Sequence, residues 1–219
     1  MIQRNTQIQT VLRYFNFKPV VALVGGRQVG KSALAEHISA QYEGSCKIFD
    51  LKTVRDRQVL SVPETLLAKA KGLVILDEVQ RYPRVIAALP KILNANKNDA
   101  RFLLMGGTPA NLKQPTLKSI EDKIVIHELP GLSLHEVGTE NIQRLWLRGG
   151  LPYSFTADSR SESFEWRTSH TQNILGENQQ GDGPPIASER MRSFLMLLAK
   201  HNGETLDVVD LARSFGVRN

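Results

Sequence analysis

Apolar residues in the first 127 positions fall into two alternating patterns. Short apolar runs predict buried strands, and they lie at Val20–Val24, Lys47–Leu51, Leu73–Glu78, Arg101–Met105 and Ile124–Ile126. Elsewhere apolar positions recur three and four residues apart, which predicts helices, within Met1–Lys18 and at Lys31–Tyr42, Pro63–Lys71 and Pro83–Asn96. The alternation of strand and helix predicts an α/β fold in which a parallel sheet carries helices on both faces.

The pattern changes after residue 130, where helices replace the strands. Helices are predicted at Ser163–Ile174 and Ser188–Lys200, with a flexible loop or linker at Gly176–Pro185 between them. Residues Glu204–Phe215 are typical of the first helix of a helix-turn-helix, and the chain stops at Asn219, where the second helix would begin. We therefore predict a first domain at 1–130 and a small, mostly helical region at 131–219. This region ends in a packing remnant or a truncated winged helix.

The turn after the first strand has the spacing of a phosphate-binding loop, Gly25-x-x-x-x-Gly30-Lys31-Ser32 (Walker A). Glycines let several backbone N–H groups turn towards one phosphate, and the N-terminus of the next helix adds further donors. Lys31 would reach the β and γ phosphates, and the Ser32 hydroxyl would bind Mg²⁺. The alternative is a glycine-rich turn before an ordinary lysine. The candidate nucleotide-binding residues are Gly25, Gly26, Arg27, Gln28, Val29, Gly30, Lys31, Ser32 and Ala33.

A pair of acids, Asp77 and Glu78, ends the third apolar run. Two adjacent carboxylates beside a core are costly unless a cation lies there, and hydrated Mg²⁺ on a nucleotide would supply that cation. Asp77 would hold the metal together with Ser32 (Walker B), while Glu78 would orient or deprotonate the attacking water. Glu78 and Lys31 are thus the candidate catalytic residues. The alternative is a strand that ends in a polar turn.

Composition indicates a globular protein rather than a membrane-spanning one. The chain of 219 residues is 41% hydrophobic and 23% charged, and no apolar run approaches the roughly 18 residues that a membrane span needs. The first ten residues are polar and unlike a signal peptide, so we expect a cytoplasmic protein. The one cysteine, Cys46, excludes an internal disulfide and is expected to be a packed thiol.

The positive charge is concentrated in the predicted nucleotide-binding half. Residues 1–130 carry 19 Lys and Arg against 11 Asp and Glu, a net charge of +8, whereas residues 131–219 carry 9 against 11, a net charge of −2. A basic surface is typical of nucleic-acid contact, but phosphate chemistry and ordinary solvated faces also use Lys and Arg. The charge distribution therefore leaves open whether the protein contacts nucleic acid.

Several motifs together resemble a prokaryotic family of AAA-type ATP-binding proteins, over essentially the whole chain from Phe17 to Val217. They are Gly25-Gly26-Arg27-Gln28-Val29-Gly30-Lys31-Ser32, Phe49-Asp50-Leu51, Leu76-Asp77-Glu78-Val79-Gln80-Arg81-Tyr82-Pro83, Arg101-Phe102-Leu103-Leu104-Met105-Gly106, Leu132-Ser133-Leu134-His135-Glu136, Leu147-Arg148-Gly149-Gly150-Leu151-Pro152 and Leu211-Ala212-Arg213-Ser214-Phe215-Gly216-Val217. The resemblance implies a five-stranded P-loop NTPase core of the AAA (ASCE) type that binds ATP and Mg²⁺. It also implies that Gln80 lies just outside the residues that touch the nucleotide, and it makes self-association or a protein partner plausible.

Two positions depart from the family pattern. Met105-Gly106-Gly107 stands where the family usually has Thr-Gly-Ser, so the polar group that senses the γ phosphate is missing unless Thr108 replaces it. Asp122-Lys123 stands where the family usually has Gly-Arg, and a lysine lacks the planar fork of an arginine finger. We therefore expect the chain to bind nucleotide, whereas efficient hydrolysis is expected only if other groups replace these two.

Three functions are compatible with these features. The first is an ATPase that hydrolyses ATP slowly to drive or time a conformational change. The second is a nucleotide-binding switch or interaction protein without efficient hydrolysis, and the third is a nucleic-acid-associated regulator. Arg148 is expected to form a structural salt bridge or cap, and Trp146 and Trp166 are expected in the core rather than on a base-stacking surface.

Overall fold

A computed structural model describes residues 2–95, 100–107, 120–177 and 188–216. The chain divides into two compact units, a first unit at 1–157 and a second unit at 158–219. Most of the predicted linker at 176–185 and the candidate Thr108 lie outside the described residues.

The core of the first unit alternates strand and helix in the predicted order. Its elements are α1 (Asn5–Tyr14), β1 (Val20–Val24), α2 (Lys31–Gln41), β2 (Cys46–Asp50), α3 (Val54–Val59), α4 (Pro63–Leu67), β3 (Leu73–Asp77), α5 (Pro83–Ala95), β4 (Arg101–Met105) and β5 (Ile124–Glu128). A 3-10 turn at Val79–Arg81 joins β3 to α5, and another at Glu121–Lys123 precedes β5.

The five strands form one parallel sheet in the order β2-β3-β4-β1-β5. Alternate residues of β1 enter two separate apolar clusters. Val20, Ala22 and Val24 pack with apolar residues of α4 and α5, whereas Val21 and Leu23 pack with those of α1 and α2. Helices therefore cover both faces, which explains why the central strands are continuous apolar runs rather than alternating ones.

The strand order brings the three candidate segments of the site together. Because β4 lies between β1 and β3, and all strands run in one direction, the carboxyl ends of these three strands are neighbours. Gly25, Gly106 and Glu78 are the residues that directly follow them. This edge of the sheet is where α/β folds bind their ligands.

Helix α3 was not predicted, and α4 is shorter than the predicted Pro63–Lys71. None of the six residues of α3 is buried, so no apolar periodicity announces it. Its start is defined by the side chain of Thr53, which accepts a hydrogen bond from the Asp56 N–H. In a helix this short, the cap is the sequence signal rather than the hydrophobic pattern.

After β5, the described residues of the first unit form the short helices α6 (Leu134–Val137), α7 (Ile142–Arg148) and α8 (Pro152–Thr156), with a 3-10 turn at Thr139–Asn141 before α7. Leu145 packs beside a small apolar cluster formed by Leu132, Val137 and Phe155. Trp146 is 88% exposed, so its predicted place in the core is wrong. Leu145 and the buried Arg148 lie on the inward side of α7. Because Trp146 directly follows Leu145 along the helix, its side chain lies on a different side and faces solvent.

The second unit is helical, as predicted, with α9 (Arg160–Glu177), α10 (Ser188–Lys200) and α11 (Val208–Ser214). Helix α11 starts later than predicted because the Asp207 side chain caps it, accepting hydrogen bonds from the N–H groups of Val209 and Asp210. Trp166 is half-buried rather than in a core, and its ring stacks on His170 with the centroids 4.8 Å apart. No helix within the described ranges is long and apolar enough to cross a membrane.

Candidate functional site

Two glycines of the loop between β1 and α2 have backbone conformations that favour glycine. Gly25 has φ of 153° and Gly30 has φ of 100°, in the region that favours glycine. A Cβ on Gly25 would lie 2.6 Å from the carbonyl oxygen of Leu129. Gly26 has no atom near its Cβ position and no positive φ, so the expected need for glycine does not extend to it. Arg27 is exposed on this loop.

Lys31 is the first residue of α2, and its ammonium group folds over the loop. The Nζ atom donates hydrogen bonds to the carbonyl oxygens of Gly25 and Gly26, both at 2.9 Å. Burial lowers the pKa of Lys31, while the nearby carboxylates of Glu78 and Asp77 oppose that shift. The positive charge is thus placed among loop carbonyls on one side and two carboxylates on the other.

Ser32 and Asp77 are in direct contact, across 45 residues of sequence. The Ser32 hydroxyl donates a hydrogen bond to Asp77 Oδ2 at 3.0 Å. Burial raises the pKa of Asp77, and the hydrogen bond from Ser32 works against that rise. A half-buried carboxylate next to a hydroxyl oxygen offers the hard oxygen ligands that Mg²⁺ prefers.

The side-chain oxygens of Ser32 and Asp77 are two candidate ligands for a hard cation. Within the described residues, no group of three or more His, Cys, Asp or Glu side chains could hold a metal ion. Mg²⁺ is usually bound through one or two carboxylates together with substrate phosphates and water. Ser32 and Asp77 match that chemistry.

Glu78 occupies a strained backbone position at the end of β3. Its φ of 55° and ψ of 48° place it in the left-handed region, which residues with a Cβ rarely adopt. Its carboxylate accepts a hydrogen bond from Gln80 Nε2 at 2.6 Å and lies 3.4 Å from Lys52 Nζ and 3.9 Å from Arg81 Nε. Lys52 was not predicted, because it belongs to no motif and reaches the site only through the pairing of β2 with β3.

Arg4 supports the phosphate loop from the first turn of the chain. Its guanidinium donates to the carbonyl oxygens of Val29 at 3.2 Å and Pro130 at 3.0 Å, and it pairs with Glu136 at 2.7 Å. This role of Arg4 was not predicted, since an N-terminal arginine resembles a surface charge. The available signal was the capping box of Ser133 and Glu136, which fixes the acid at the start of α6.

A cavity of about 460 Å³ adjoins this ion pair. It is lined by Ile2, Gln3, Glu136, Val137, Asn141, Arg144, Phe155 and Thr156. The guanidinium of Arg144 lies 5.1 Å from the centre of the Phe155 ring. Three of the eight lining side chains are apolar, and two of the others, Glu136 and Arg144, are charged.

Arg148 has the structural role expected of it. It is buried and donates hydrogen bonds to the carbonyl oxygens of Phe155, at 3.2 Å, and Ala157. Ser154 in turn donates to the Arg148 carbonyl oxygen at 2.6 Å. Arg148 therefore satisfies carbonyl groups at the end of α8, in the way that basic residues stabilise helix C-termini.

Lys123 and Met105 contribute no polar group to this edge of the sheet. Lys123 precedes Ile124, which pairs with Val20 at the opposite end of β1, and its Nζ donates to Asn94 Oδ1 at 3.0 Å. The whole length of β1 therefore separates Lys123 from the loop that begins at Gly25. Met105 is 1% exposed and packs in the apolar cluster on the α1 and α2 face.

Comparisons with known proteins agree with this architecture. Residues 17–138 match the family model described as an AAA domain, and residues 139–219 match a domain of unknown function. Uncharacterised proteins of Mycobacterium bovis and Mycobacterium tuberculosis are each 33% identical over 217 residues, which is 99% of this chain and 49% of theirs. The chain thus spans about half the length of the curated relatives it matches.

A solved structure supports the fold independently. The Walker-type ATPase of Pyrococcus abyssi superposes with a TM-score of 0.58 over 82% of this chain and 75% of that one, at 14% sequence identity. At that identity the likeness concerns the fold alone. Since the AAA domain model matches more than half of the sequence, and the observed sheet carries the phosphate loop at its ligand-binding edge, the chain belongs to the AAA-type ATPase family.

Proposed function

We propose that this protein binds Mg-ATP and hydrolyses it slowly to drive or time a conformational change. The observation that carries the proposal is the 3.0 Å hydrogen bond from the Ser32 hydroxyl to Asp77, beside Lys31 and the glycine loop. The loop amides and Lys31 would hold the phosphates, and Ser32 and Asp77 would hold Mg²⁺, which neutralises phosphate charge when bound. Glu78 would take a proton from the water that attacks the γ phosphorus.

The cavity beside Arg4 supports a nucleotide rather than a simple phosphate as the ligand. Glu136 lines the cavity, and Arg4 joins Glu136 to the carbonyl oxygen of Val29 in the loop. Of its apolar lining residues, Val137 and Phe155 are buried, so the partly exposed Ile2 is the apolar side chain that would contact a purine ring. In this proposal, the cavity holds the base and the loop holds the phosphates, and the Arg4 side chain connects the two.

The identity of the base rests on the family resemblance. Residues Asn96-Lys97-Asn98-Asp99, which lie outside the described ranges, have the Asn-Lys-x-Asp spacing by which GTPases read guanine. GTP is therefore tested beside ATP as a competitor. Displacement of bound ATP by equimolar GTP would change the assigned substrate without changing the phosphate site.

The first test is nucleotide binding by the Lys31→Ala variant. Losing the lysine removes charged hydrogen bonds worth up to about 3 kcal/mol, so the affinity for Mg-ATP should fall by about 100-fold. Lys69→Ala, which changes an exposed lysine beyond α4, serves as the matched control and should bind like the wild type. Unchanged Mg-ATP affinity in the Lys31 variant would refute the assigned phosphate site.

The second test separates turnover from binding. Glu78→Gln should keep the affinity for Mg-ATP and lower the single-turnover rate by about 10²- to 10⁴-fold, the usual contribution of a general base. The assay is run across protein concentration, because a rate constant that rises with concentration would show that the site is completed by another copy. Wild-type turnover by Glu78→Gln would remove Glu78 from the reaction.

A second candidate function is a nucleotide-binding switch without useful hydrolysis. The burial of Met105 favours it, since the end of β4 then lacks the polar side chain usual in the family. In that case wild-type protein should bind Mg-ATP and show no turnover at any protein concentration. Measurable single-turnover hydrolysis would exclude this candidate.

A further inference from the structure

The side chain of Gln80 lies between Glu78 and the end of β4. Its Nε2 donates a 2.6 Å hydrogen bond to Glu78 Oε2. Its Oε1 would be 3.2 Å from a Cβ added to Gly106, the first residue beyond β4. Gln80 thus reaches from the candidate general base to the strand that lies next to the phosphate loop.

The Oε1 atom of Gln80 is buried and, among the described residues, accepts no hydrogen bond. A buried polar atom without a partner costs about 1–3 kcal/mol, so it calls for an explanation. The amide cannot gain by rotating, because a carboxylate accepts and never donates when ionised, and rotation would set Oε1 against Glu78. Glu78 therefore fixes the orientation in which the buried Oε1 faces the end of β4.

A donor to Oε1 would have to lie at the end of β4, close to Gly106. The Gly25 N–H donates to the carbonyl oxygen of Gly107 at 3.1 Å, which ties this end of β4 to the start of the phosphate loop. Met105 turns into the apolar core and Gly107 has no side chain. The Gln80 amide is thus a polar group that reaches this position from the 3-10 turn after β3.

We propose that Gln80 performs the task that the polar residue of β4 performs elsewhere in the family. This inference rests on the proposed ATPase function. The Gln80 N–H holds the Glu78 carboxylate, and Oε1 accepts a hydrogen bond from the attacking water. The water oxygen bonds to the γ phosphorus, one water proton passes to Glu78, and the bond to the β–γ bridging oxygen breaks, so that ADP leaves with the electron pair.

The test measures Mg-ATP affinity and single-turnover hydrolysis in Gln80→Ala and Gln80→Glu. Alanine removes both hydrogen bonds, and glutamate keeps the size while replacing the N–H donor with a second acceptor. Both variants should lower the rate constant by about 10- to 100-fold, as expected for a lost hydrogen bond in the transition state. The dissociation constant should change by less than about threefold, which a general loss of structure would not allow.

Gln58→Ala is the matched control, because Gln58 is an exposed glutamine on α3. Hydrolysis by Gln80→Ala at the rate of this control would overturn the inference. So would an equal loss of affinity and rate, since that would make Gln80 a support of the loop. Wild-type protein that binds Mg-ATP without hydrolysing it would overturn the inference and leave the binding proposal standing. Wild-type protein that binds no nucleotide would refute the proposed function itself.

Discussion

Arg4 holds three separate segments of the first unit together. Its side chain and that of Glu136 are only 6% and 3% exposed, and the guanidinium also contacts the carbonyl oxygens of Val29 and Pro130. Burying both charges is costly, so such a pair is retained only where its hydrogen bonds are satisfied. Arginine suits the position because its planar fork serves several acceptors at once.

Removing the acid of this pair should destabilise the protein strongly. Glu136→Gln leaves the Arg4 charge buried without its partner, and we expect the free energy of unfolding at pH 7 to fall by about 3 kcal/mol. Urea denaturation of the variant, beside the exposed-site control Glu43→Gln, measures the difference. Equal stability of the two variants would show that the ion pair contributes nothing.

The same pair should make stability depend on pH in a defined direction. Burial alone would raise the pKa of Glu136, but hydrogen bonds from Arg4 and Ser133, with the Arg4 charge, hold that pKa below its ordinary value of 4.5. A carboxyl whose pKa is lower in the folded state stabilises the fold above its unfolded pKa. That stabilisation is lost as the pH falls through the folded value.

The stability difference between wild type and Glu136→Gln should therefore be constant near neutral pH and shrink below about pH 4.5. Urea denaturation at a series of pH values measures it. A difference that grows on acidification would contradict the stated direction.

At the scale of elements, the phosphate loop starts between two strand ends that fix it from both sides. The Gly25 N–H donates to Gly107 beyond β4, and the Leu129 N–H donates to the Val24 carbonyl oxygen at 2.7 Å. The close approach of Leu129 is what excludes a side chain at Gly25. The loop is thus held by its neighbours and does not depend on its own hydrogen bonds alone.

Adjacent glycines of this loop should respond differently to the same substitution. Gly25→Ala adds a Cβ that clashes with backbone and requires a φ unsuited to alanine, so we expect a loss of about 2 kcal/mol in unfolding free energy. Gly26→Ala adds a Cβ in open space and should leave stability nearly unchanged. Urea denaturation of both variants checks this, and similar losses in the two would contradict it.

Features whose cause lies within one short segment of sequence could be predicted, whereas contacts between distant segments could not. Strands β1 and β4 have the predicted bounds, because helices on both faces demand continuous apolar runs. The loop and acid positions follow from spacing along the chain. Arg4, Lys52 and the contact of Gln80 with Gly106 come from segments that only folding brings together, so no local pattern reveals them.

At the scale of the whole molecule, the residues of the candidate site all lie in the first unit, 1–157. The sequence predicts a boundary at 130/131, the matching family models meet at 138/139, and the compact units divide at 157/158. The sequence boundary therefore stays a prediction. The contacts of Arg4 with Gly131 and Glu136 favour a nucleotide-binding part that extends beyond residue 130.

Two truncated chains distinguish the boundary at 130/131 from the one at 157/158. A fragment of residues 1–157 keeps both apolar clusters and the Arg4 pair, so it should bind Mg-ATP within about threefold of the full chain. A fragment of residues 1–130 leaves Arg4 without Glu136 and should lose about 3 kcal/mol of stability. Thermal denaturation and nucleotide titration of both fragments measure this. Equal stability and affinity would support the boundary at 130.

The left-handed backbone of Glu78 has a mechanical consequence. This conformation costs a residue with a Cβ roughly 1 kcal/mol or more, so the turn after β3 is strained. The contacts of Glu78 with Gln80, Lys52 and Arg81 hold it in place. Any event that withdraws those partners would release the turn to a relaxed shape. Two of the three partners that hold this conformation, Lys52 and Arg81, are more than half exposed, so solvent and salt reach the contacts on which it depends.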